Sequence, residues 1–552
     1  MIAAWFANRV AHACGGFFCD NLQPVDQSGE AIVFAVEDGI VTTHVQIAYQ
    51  GAADGFAWIL PVPGVPEVGL STDALFTALE RSTRQVIDLA RIDEPGCAAA
   101  GADADADTDT DADADVSTSG GSASQVLVIS EGAVGPYETA VLQATDGAAL
   151  IDWLQANGYG VPDTLGDRMG PYLAPGMSFL ALKLRKDSGD VAGQLAPLAV
   201  SWPGDRPSIP LTLTSVAATP DMPLTVYVLG QARAVPTNYL HVQLNPLGFD
   251  WLQAGTEPPG ELLRRAADEA GGRAFSTTFA DRASVEVETS MSTFGLESIG
   301  DPLEWFLALP AHGFGGTSDV LAVLRTHVPA PPGIPETSFY DDPYAYPGAW
   351  AALETTFDPV AASNDLAARV VVPRRAVQAL LDANAYVTRL ESSISPDEMS
   401  VDPQFAFNPD LPPVDRVARG TLRADCGPPG STEPTAWTLE LPGGFPVAVP
   451  PQAAVWGPTL VDWSWSHLDH AALVVEQLSE TGPGTIVADY SAELREVEDL
   501  EDTVGTEPTG CGCSGRGGPT DGTGVALLGG VALALRGRRS RNCTPEVGSA
   551  RR

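Results

Sequence analysis

The chain has 552 residues, of which 44% are hydrophobic and 18% are charged. This length allows two domains with separate cores, and this composition excludes a chain that is disordered overall. The 71 acidic residues outnumber the 30 basic ones, which gives a formal net charge of −41. Such a charge repels nucleic acids and anionic lipids, so nucleic acid is excluded as a partner and a solvated acidic surface is predicted.

The first residues resemble the end of a signal peptide. Residues 1–13, MIAAWFANRVAHA, finish in the A-x-A pattern that signal peptidase recognises. Their apolar stretch is short and lacks a preceding basic region, so we predict a partial signal peptide whose true start lies further upstream. An ordinary cytoplasmic start is the alternative.

The cysteines are few and lie at the edges of the sequence. The seven cysteines do not form two CxxC pairs, which argues against a structural zinc site. Cys14 and Cys19 enclose only GGFF, so a local disulfide is predicted there, and Cys97 with Cys426 is a second candidate pair. Both bonds would fit an oxidising compartment.

Residues 31–49 alternate apolar and polar side chains and predict a hairpin, with Asp38 and Gly39 in a type I′ turn. One face of its second strand carries Val41, Thr43, Val45, Ile47 and Tyr49. His44 belongs to the other face, together with Thr42 and Gln46. A solvated sheet position is therefore predicted for His44 rather than a ligand role.

Helical and strand patterns alternate along the rest of the body. A helix is predicted to begin at Thr72 or Asp73, with Leu75 and Leu79 on one face, and further helices over 148–156, 261–270 and 374–383. Strands are predicted over 126–129, 179–184, 211–216, 224–229, 240–244 and 437–441. The absence of a regular βαβ repeat predicts an α+β fold, with β-rich mixed or antiparallel sheets and interspersed helices.

Residues 102–115 place seven aspartates at alternate positions. Repelling charges of this kind cannot be buried, so residues 98–124 are predicted to form a disordered acidic insert. A calcium site is the alternative, but the segment lacks the glycine that turns an EF-hand loop, which favours diffuse association with cations.

Motifs that would specify an activity are scarce. The sequence contains neither G-x-S-x-G nor the phosphate-binding GxxxxGK[ST]. Residues 312–316, HGFGG, are similar to the glycine-rich oxyanion loop of esterases, but a loop that leads into a helix capped by Ser318 explains them as well. No cofactor is predicted.

One pair of histidines has a spacing that suits a metal ion. His467 and His470 are three residues apart, and Asp462 is nearby, so these three are candidate metal ligands. The alternative is that the histidines are surface or cap residues beside a strand that contains Trp463 and Trp465.

The proline-rich segment 329–347 predicts a domain boundary. We therefore predict a first α+β domain over 14–330 and a second over 331–492. An acidic linker is predicted over 493–510, because this segment is poor in core residues.

The last segment, residues 511–552, has the order of parts of a sorting tail. Cys511 and Cys513 precede a glycine-rich spacer and an apolar run over 525–535. Eleven residues are too few for a helical span, which needs about 20. Four arginines follow and would stop translocation: Arg536, Arg538, Arg539 and Arg541.

This order resembles the MYXO-CTERM tail of myxobacterial surface proteins. The resemblance implies processing by a protease near Cys511 or Cys513, after a transient membrane contact through 525–535. A short buried or amphipathic helix is the structural alternative.

Several stretches of the body resemble one bacterial family, the domain of unknown function 2330 (DUF2330). They are spread over roughly residues 13–415 and include ACGGFFC, FAWILPVPGVPEVGLSTDALFTAL and PDMPLTVYVLGQARAVPTNYLHVQLN. The resemblance implies an exported protein and assigns no catalytic residue.

Two functions remain open from the sequence. The first is a non-catalytic cell-surface or secreted protein that either binds an extracellular or envelope partner or has a structural role in the envelope. The second is an extracytoplasmic hydrolase that acts on carbohydrate or peptide, with Trp456, Trp463 and Trp465 as sugar platforms.

Overall fold

The computed structural model describes residues 16–18, 29–47, 57–93, 126–159, 165–174, 176–184, 195–251, 255–425, 436–449 and 469–492. All of them belong to one compact unit of the chain, which extends to Gly505. The acidic insert, the acidic linker and the sorting tail lie outside the described residues, and those predictions stay predictions.

The strands of the described part are β1 (Gly16–Phe18), β2 (Glu30–Glu37), β3 (Ile40–Ile47), β4 (Ala57–Pro63), β5 (Glu67–Leu70), β6 (Val86–Asp93), β7 (Val126–Val134), β8 (Tyr137–Ala144), β9 (Met177–Leu184), β10 (Leu198–Pro203), β11 (Met222–Gly230), β12 (Ala234–Pro236), β13 (Leu240–Leu244), β14 (Ala274–Arg282), β15 (Tyr386–Ile394), β16 (Phe405–Phe407), β17 (Val417–Asp425), β18 (Ala436–Leu441), β19 (Phe445–Val449), β20 (Ala472–Gln477) and β21 (Thr485–Asp489).

The α-helices are α1 (Asp73–Thr83), α2 (Gly147–Ala156), α3 (Leu165–Arg168), α4 (Leu211–Thr214), α5 (Gly260–Glu269), α6 (Pro302–Ala308), α7 (Ser318–His327), α8 (Glu336–Asp341), α9 (Pro347–Leu353), α10 (Pro359–Leu366) and α11 (Val372–Ala383). A π-helical turn, Ala367–Val371, joins α10 to α11.

A ten-stranded mixed sheet forms the centre of the fold, in the order β21-β20-β13-β14-β15-β11-β2-β3-β10-β5. Its β2/β11 and β13/β14 pairs are parallel, and the other neighbours are antiparallel. A five-stranded antiparallel sheet, β1-β4-β9-β8-β7, and a four-stranded sheet, β19-β18-β17-β6, accompany it. This mixture of sheets and helices confirms the predicted α+β class.

The predicted hairpin is confirmed as β2 and β3, which pair from Glu30 with Ile47 to Glu37 with Ile40. Asp38 and Gly39 both have positive φ angles, 46° and 77°, as a type I′ turn requires. Phe34 and Val45 pack in the core between the ten-stranded sheet and the five-stranded sheet. The opposite face of β2 packs against α1 and α11.

Capping side chains define several predicted helix ends. Thr72 accepts a hydrogen bond from the Ala74 amide and starts α1, and Asp146 accepts one from Ala148 and starts α2. Asn157 and Asn384 are the C-caps of α2 and α11, as predicted. The helix predicted over 261–270 is α5, displaced by one residue.

Three local predictions are wrong. Residues 211–216 contain the short helix α4 rather than a strand, because the Asp402 carboxylate accepts the Thr212 amide at 2.8 Å. Ser318 is the first residue of α7 rather than its cap, and its hydroxyl donates to Asp73. His44 is buried, with 5% of its surface exposed, because the covering layer that contains Ser71 lies over that face of β3.

The described helices include none that is both long and apolar enough to cross a membrane. The ten-stranded sheet takes strands from both sides of residue 330, since β15 lies between β14 and β11. The predicted division at this residue stays a prediction.

Candidate functional site

Most of the predicted site residues lie outside the described residues. They are Asp462 and His467 of the metal prediction, the disulfide candidates Cys14, Cys19, Cys97 and Cys426, and the processing candidates Cys511 and Cys513. The described remainder contains no cluster of three or more His, Cys, Asp or Glu side chains that suits a metal ion. The metal, disulfide and processing assignments therefore stay predictions.

His470 is the one candidate metal ligand in the described part of the chain. Its ring stacks on Tyr490, with centroids 3.6 Å apart and planes 9° apart. Its Nδ1 lies 3.9 Å from the Glu269 carboxylate. These contacts explain His470 as a residue that joins the end of β21 to α5.

The best-formed polar site lies elsewhere, where β13 and β14 separate. These parallel strands pair only at Leu240 with Ala274 and at His241 with Phe275. Beyond that point β14 pairs with β15 and has a register shift between Thr277 and Phe279. The separation opens a cavity of about 480 Å³, which we call the Arg233 pocket.

Three parts of the fold line the Arg233 pocket. Its lining comes from β13 and β14 on one side, from β17 and β19 of the four-stranded sheet on another, and from residues 412–414. Residues 412–414 are held in place because Val414 and Ala280 exchange backbone hydrogen bonds of 2.8 and 2.9 Å. The pocket thus lies between two sheets, as ligand sites often do.

His241 lies at the centre of the polar lining, with 3% of its surface exposed. Its Nδ1 is 3.0 Å from Glu476 Oε1 on β20, and its Nε2 is 3.0 Å from Thr277 Oγ1 on β14. The Thr277 backbone amide also donates to Nε2, at 3.2 Å. Nε2 is therefore an acceptor, so the ring proton resides on Nδ1 and is donated to Glu476.

Arg233 is the buried cation of the pocket, with 7% of its surface exposed. One guanidinium nitrogen donates to Thr277 Oγ1 and another to the Pro412 carbonyl, both at 3.3 Å. Its Nε is buried and has no hydrogen-bond partner among the described residues. Gln85 Oε1, which also belongs to the pocket lining, is likewise buried without a partner among them.

Burial controls the protonation of this group. Desolvation lowers the pKa of His241 below its ordinary 6.5, although the hydrogen bond to Glu476 opposes the shift. The hydrogen bond from His241 in turn lowers the pKa of Glu476. Burial also lowers the pKa of Arg233, and the guanidinium stays charged because arginine is not deprotonated in proteins. At pH 7 the site therefore holds a neutral imidazole between a carboxylate and a guanidinium.

A second cavity, of about 260 Å³, lies between the ten-stranded and five-stranded sheets. Its walls are mostly apolar and include Phe34, Leu60 and Trp202. Thr43 lines it too, and Thr43 Oγ1 is buried without a partner among the described residues. Its two charged lining residues already have partners: Arg206 pairs with Glu480, and Asp402 accepts from the Tyr172 hydroxyl and the Thr212 amide.

Comparison with known proteins assigns the family. The model of the family described as "Uncharacterized protein conserved in bacteria (DUF2330)" matches residues 8–298, just over half of the 552 residues. The chain belongs to the DUF2330 family. The predicted family membership is therefore confirmed. The comparisons with curated proteins and with solved structures return no match.

The matched DUF2330 region contains Arg233, His241 and Thr277 but not Glu476. The family description names no activity, so the site rests on its geometry alone. Sequence reasoning missed this group because its members are distant in the chain. The available signal was an isolated His and an isolated Glu inside the apolar strand patterns LHVQL and ALVVEQ.

Proposed function

We propose that this DUF2330 protein is exported to the cell surface or secreted, and that its folded body binds a small polar ligand in the Arg233 pocket. The observation that carries the binding role is the buried Arg233 Nε, an unsatisfied donor in a cavity large enough for an organic molecule. A buried polar group without a partner costs about 1–3 kcal/mol, and a ligand oxygen would remove this cost.

The pocket chemistry indicates the class of ligand. Arg233 suits a carboxylate or carbonyl oxygen, because guanidinium N–H groups are strong donors to such oxygens. Gln85 Oε1 suits a hydroxyl or amine donor. The net charge of −41 opposes an anion only weakly inside the pocket, since surface charges are screened within about 8 Å at physiological ionic strength. We therefore infer a hydroxylated or aminated carboxylate.

Thermal shift and calorimetry with galacturonate, glutamate and, as a neutral comparison, galactose test the binding role. We expect at least one of the two acids to stabilise the protein and Arg233→Met to abolish this effect. Arg282→Met is the matched control, because Arg282 is exposed and lies outside the pocket. Equal binding by both variants, or no binding of either acid at millimolar concentration, would refute the proposal.

The export proposal rests on the sequence. The A-x-A end of residues 1–13, the edge cysteines and the MYXO-CTERM-like tail over 511–552 support it together. In this proposal a sorting protease acts near Cys511 or Cys513, after residues 525–535 have contacted the membrane transiently. The mature protein then reaches an extracellular or envelope partner.

Fractionation of native cells with intact-mass analysis tests export. We expect the mature protein in the envelope or the medium, with residues 1–13 and the end of the tail removed. A cytosolic protein that retains both Met1 and Arg552 would refute export.

The alternative function, an extracytoplasmic hydrolase, gains support from one arrangement in the same pocket. A hydroxyl, an imidazole and a carboxylate lie in series at Thr277, His241 and Glu476. The candidate sugar platforms Trp456, Trp463 and Trp465 lie outside the described residues.

A further inference from the structure

We propose that Thr277, His241 and Glu476 form an acyl-transfer site that hydrolyses carboxylic esters held in the Arg233 pocket. Thr277 is the nucleophile, His241 the general base and Glu476 the positioning residue that orients the imidazole. The inference rests on the proposed binding function, because the same pocket must admit the substrate.

The hydrogen bonds already have the direction that this chemistry needs. Arg233 donates to Thr277 Oγ1, so the hydroxyl proton of Thr277 is free to be donated to His241 Nε2 at 3.0 Å, an acceptor that it shares with the Thr277 backbone amide at 3.2 Å. Nδ1–H of the same ring is held by Glu476 at 3.0 Å. A hydroxyl hydrogen-bonded to a base, which a third group orients, is the arrangement of an activated nucleophile.

Arg233 supplies the electrostatic part of the mechanism. A tetrahedral intermediate on Thr277 carries its oxyanion within a few ångströms of Oγ1, and a guanidinium nitrogen lies 3.3 Å from that atom. The Arg233 Nε–H, which has no partner among the described residues, is a further donor. Donors placed in a buried site before the charge forms stabilise a transition state strongly.

The reaction balances with water as the only co-reactant. Thr277 Oγ1 bonds to the ester carbonyl carbon while its proton moves to His241 Nε2. Collapse of the intermediate breaks the C–O bond to the leaving alcohol, which takes that proton. A water molecule then gives a proton to His241 Nε2 and its oxygen bonds to the acyl carbon. The bond from that carbon to Thr277 Oγ1 breaks, and Oγ1 takes the proton back from His241 Nε2. The products are a carboxylic acid, the alcohol released in the first step and the regenerated Thr277 hydroxyl.

The charges around His241 set the pH range. Glu476 faces it from β20 and Arg233 from the segment before β12, while Arg419 of β17 belongs to the rim of the pocket. Burial keeps the pKa of His241 below 6.5 despite the carboxylate. The base form therefore predominates at pH 7, and activity is expected to decline in acid as His241 becomes protonated.

The test treats the full chain with an alkyl fluorophosphonate and with p-nitrophenyl acetate. We expect one covalent adduct that maps to Thr277, together with turnover of the ester. Thr277→Ser should retain adduct formation and ester turnover, and Thr277→Val should lose them. His241→Gln should slow adduct formation and ester turnover by at least about 100-fold. The matched control is Thr278→Val, because Thr278 is an adjacent buried threonine outside the pocket lining, and it labels like the natural protein.

Glu476 is tested by a pH profile. Glu476→Gln removes a charge that raises the pKa of His241. We therefore expect the rate of ester hydrolysis to fall and the pH of half-maximal rate to move lower. Glu476→Asp should restore part of the rate and part of the shift in the profile. A purely structural role for Glu476 would change the melting temperature without moving the profile.

Failure of this inference is distinguishable from failure of the binding role. If the acids bind and Arg233→Met abolishes that binding, yet the natural protein shows no adduct at Thr277 and no turnover, the acyl-transfer site is refuted and binding stands. Mapping the adduct on the natural protein keeps the test decisive even if Thr277→Val fails to fold.

Discussion

At the residue scale, His44 shows how a covering layer determines the state of a side chain. The ring lies in a buried position, and its Nδ1 contacts Ser71 Oγ at 2.8 Å. Its Nε2 is buried and has no partner among the described residues. Desolvation lowers the pKa of His44 from 6.5 to about 4. A protonated His44 is therefore strongly disfavoured in the folded protein.

This burial predicts a pH-dependent stability. The unfolded chain binds a proton at His44 below pH 6.5, whereas the folded chain binds it only near pH 4. The free energy of unfolding is therefore unaffected by His44 above pH 6.5 and decreases as the pH falls below it. The loss at pH 5 is about 2 kcal/mol, from 1.36 kcal/mol per pKa unit. Asn can reproduce the contact of Nδ1 with Ser71 without titrating.

We therefore expect the melting temperature of His44→Asn to fall less than that of the natural protein between pH 7 and pH 5. His312→Asn is the control, since the His312 hydrogen bond to the Ser292 carbonyl is exposed, and it should follow the natural protein. Identical pH dependence in all three proteins would contradict the buried state of His44.

At the element scale, close contacts fix how the four-stranded sheet packs on the body. Strand β17 passes Trp251 so closely that a Cβ on Gly420 would lie 2.7 Å from the indole ring. Trp251 is fully buried, and its indole N–H donates to the Pro246 carbonyl at 2.8 Å. The ring cannot move without losing that bond, so glycine is required at this point of the strand.

Gly420→Ala is accordingly predicted to destabilise the protein by about 1–3 kcal/mol through overpacking. The matched control is Gly69→Ala on edge strand β5, where a Cβ would meet no atom within 4 Å. This substitution should change the free energy of unfolding by less than about 0.5 kcal/mol. Chemical denaturation measures both. A neutral Gly420→Ala would show that Trp251 has room to move.

At the scale of the whole molecule, the central sheet joins distant parts of the chain. Strand β15 pairs with β11 from Met222–Ile394 to Gly230–Tyr386, and with β14 on its other side. Removing it would leave two unpaired strand edges in the middle of the sheet. It would also remove Leu390, which packs in the core between the two large sheets.

We therefore expect a chain that ends at residue 330 to lack a cooperative thermal transition, whereas a chain that ends at residue 505 retains it. Circular dichroism and calorimetry compare the two. A cooperative transition in the shorter chain would support the predicted domain boundary and contradict this expectation.

The sequence determined the local elements of this protein. The Asp38–Gly39 turn, the α1 cap at Thr72 and the Asn C-caps of α2 and α11 follow from short-range chemistry, so they were predictable from neighbouring residues. Alternation along β3 also predicted which side chains share a face, because the side-chain period of a strand is two.

Tertiary structure alone decided what covers each face and which side chains meet. Periodicity could not show that a covering layer would bury His44, nor that Asp402 would convert 211–214 into a helix. Thr277 and His241 are 36 residues apart, and Glu476 is a further 235 residues from His241. Their convergence depends on strand order in the sheet, which results from packing over the whole body and not from any local pattern.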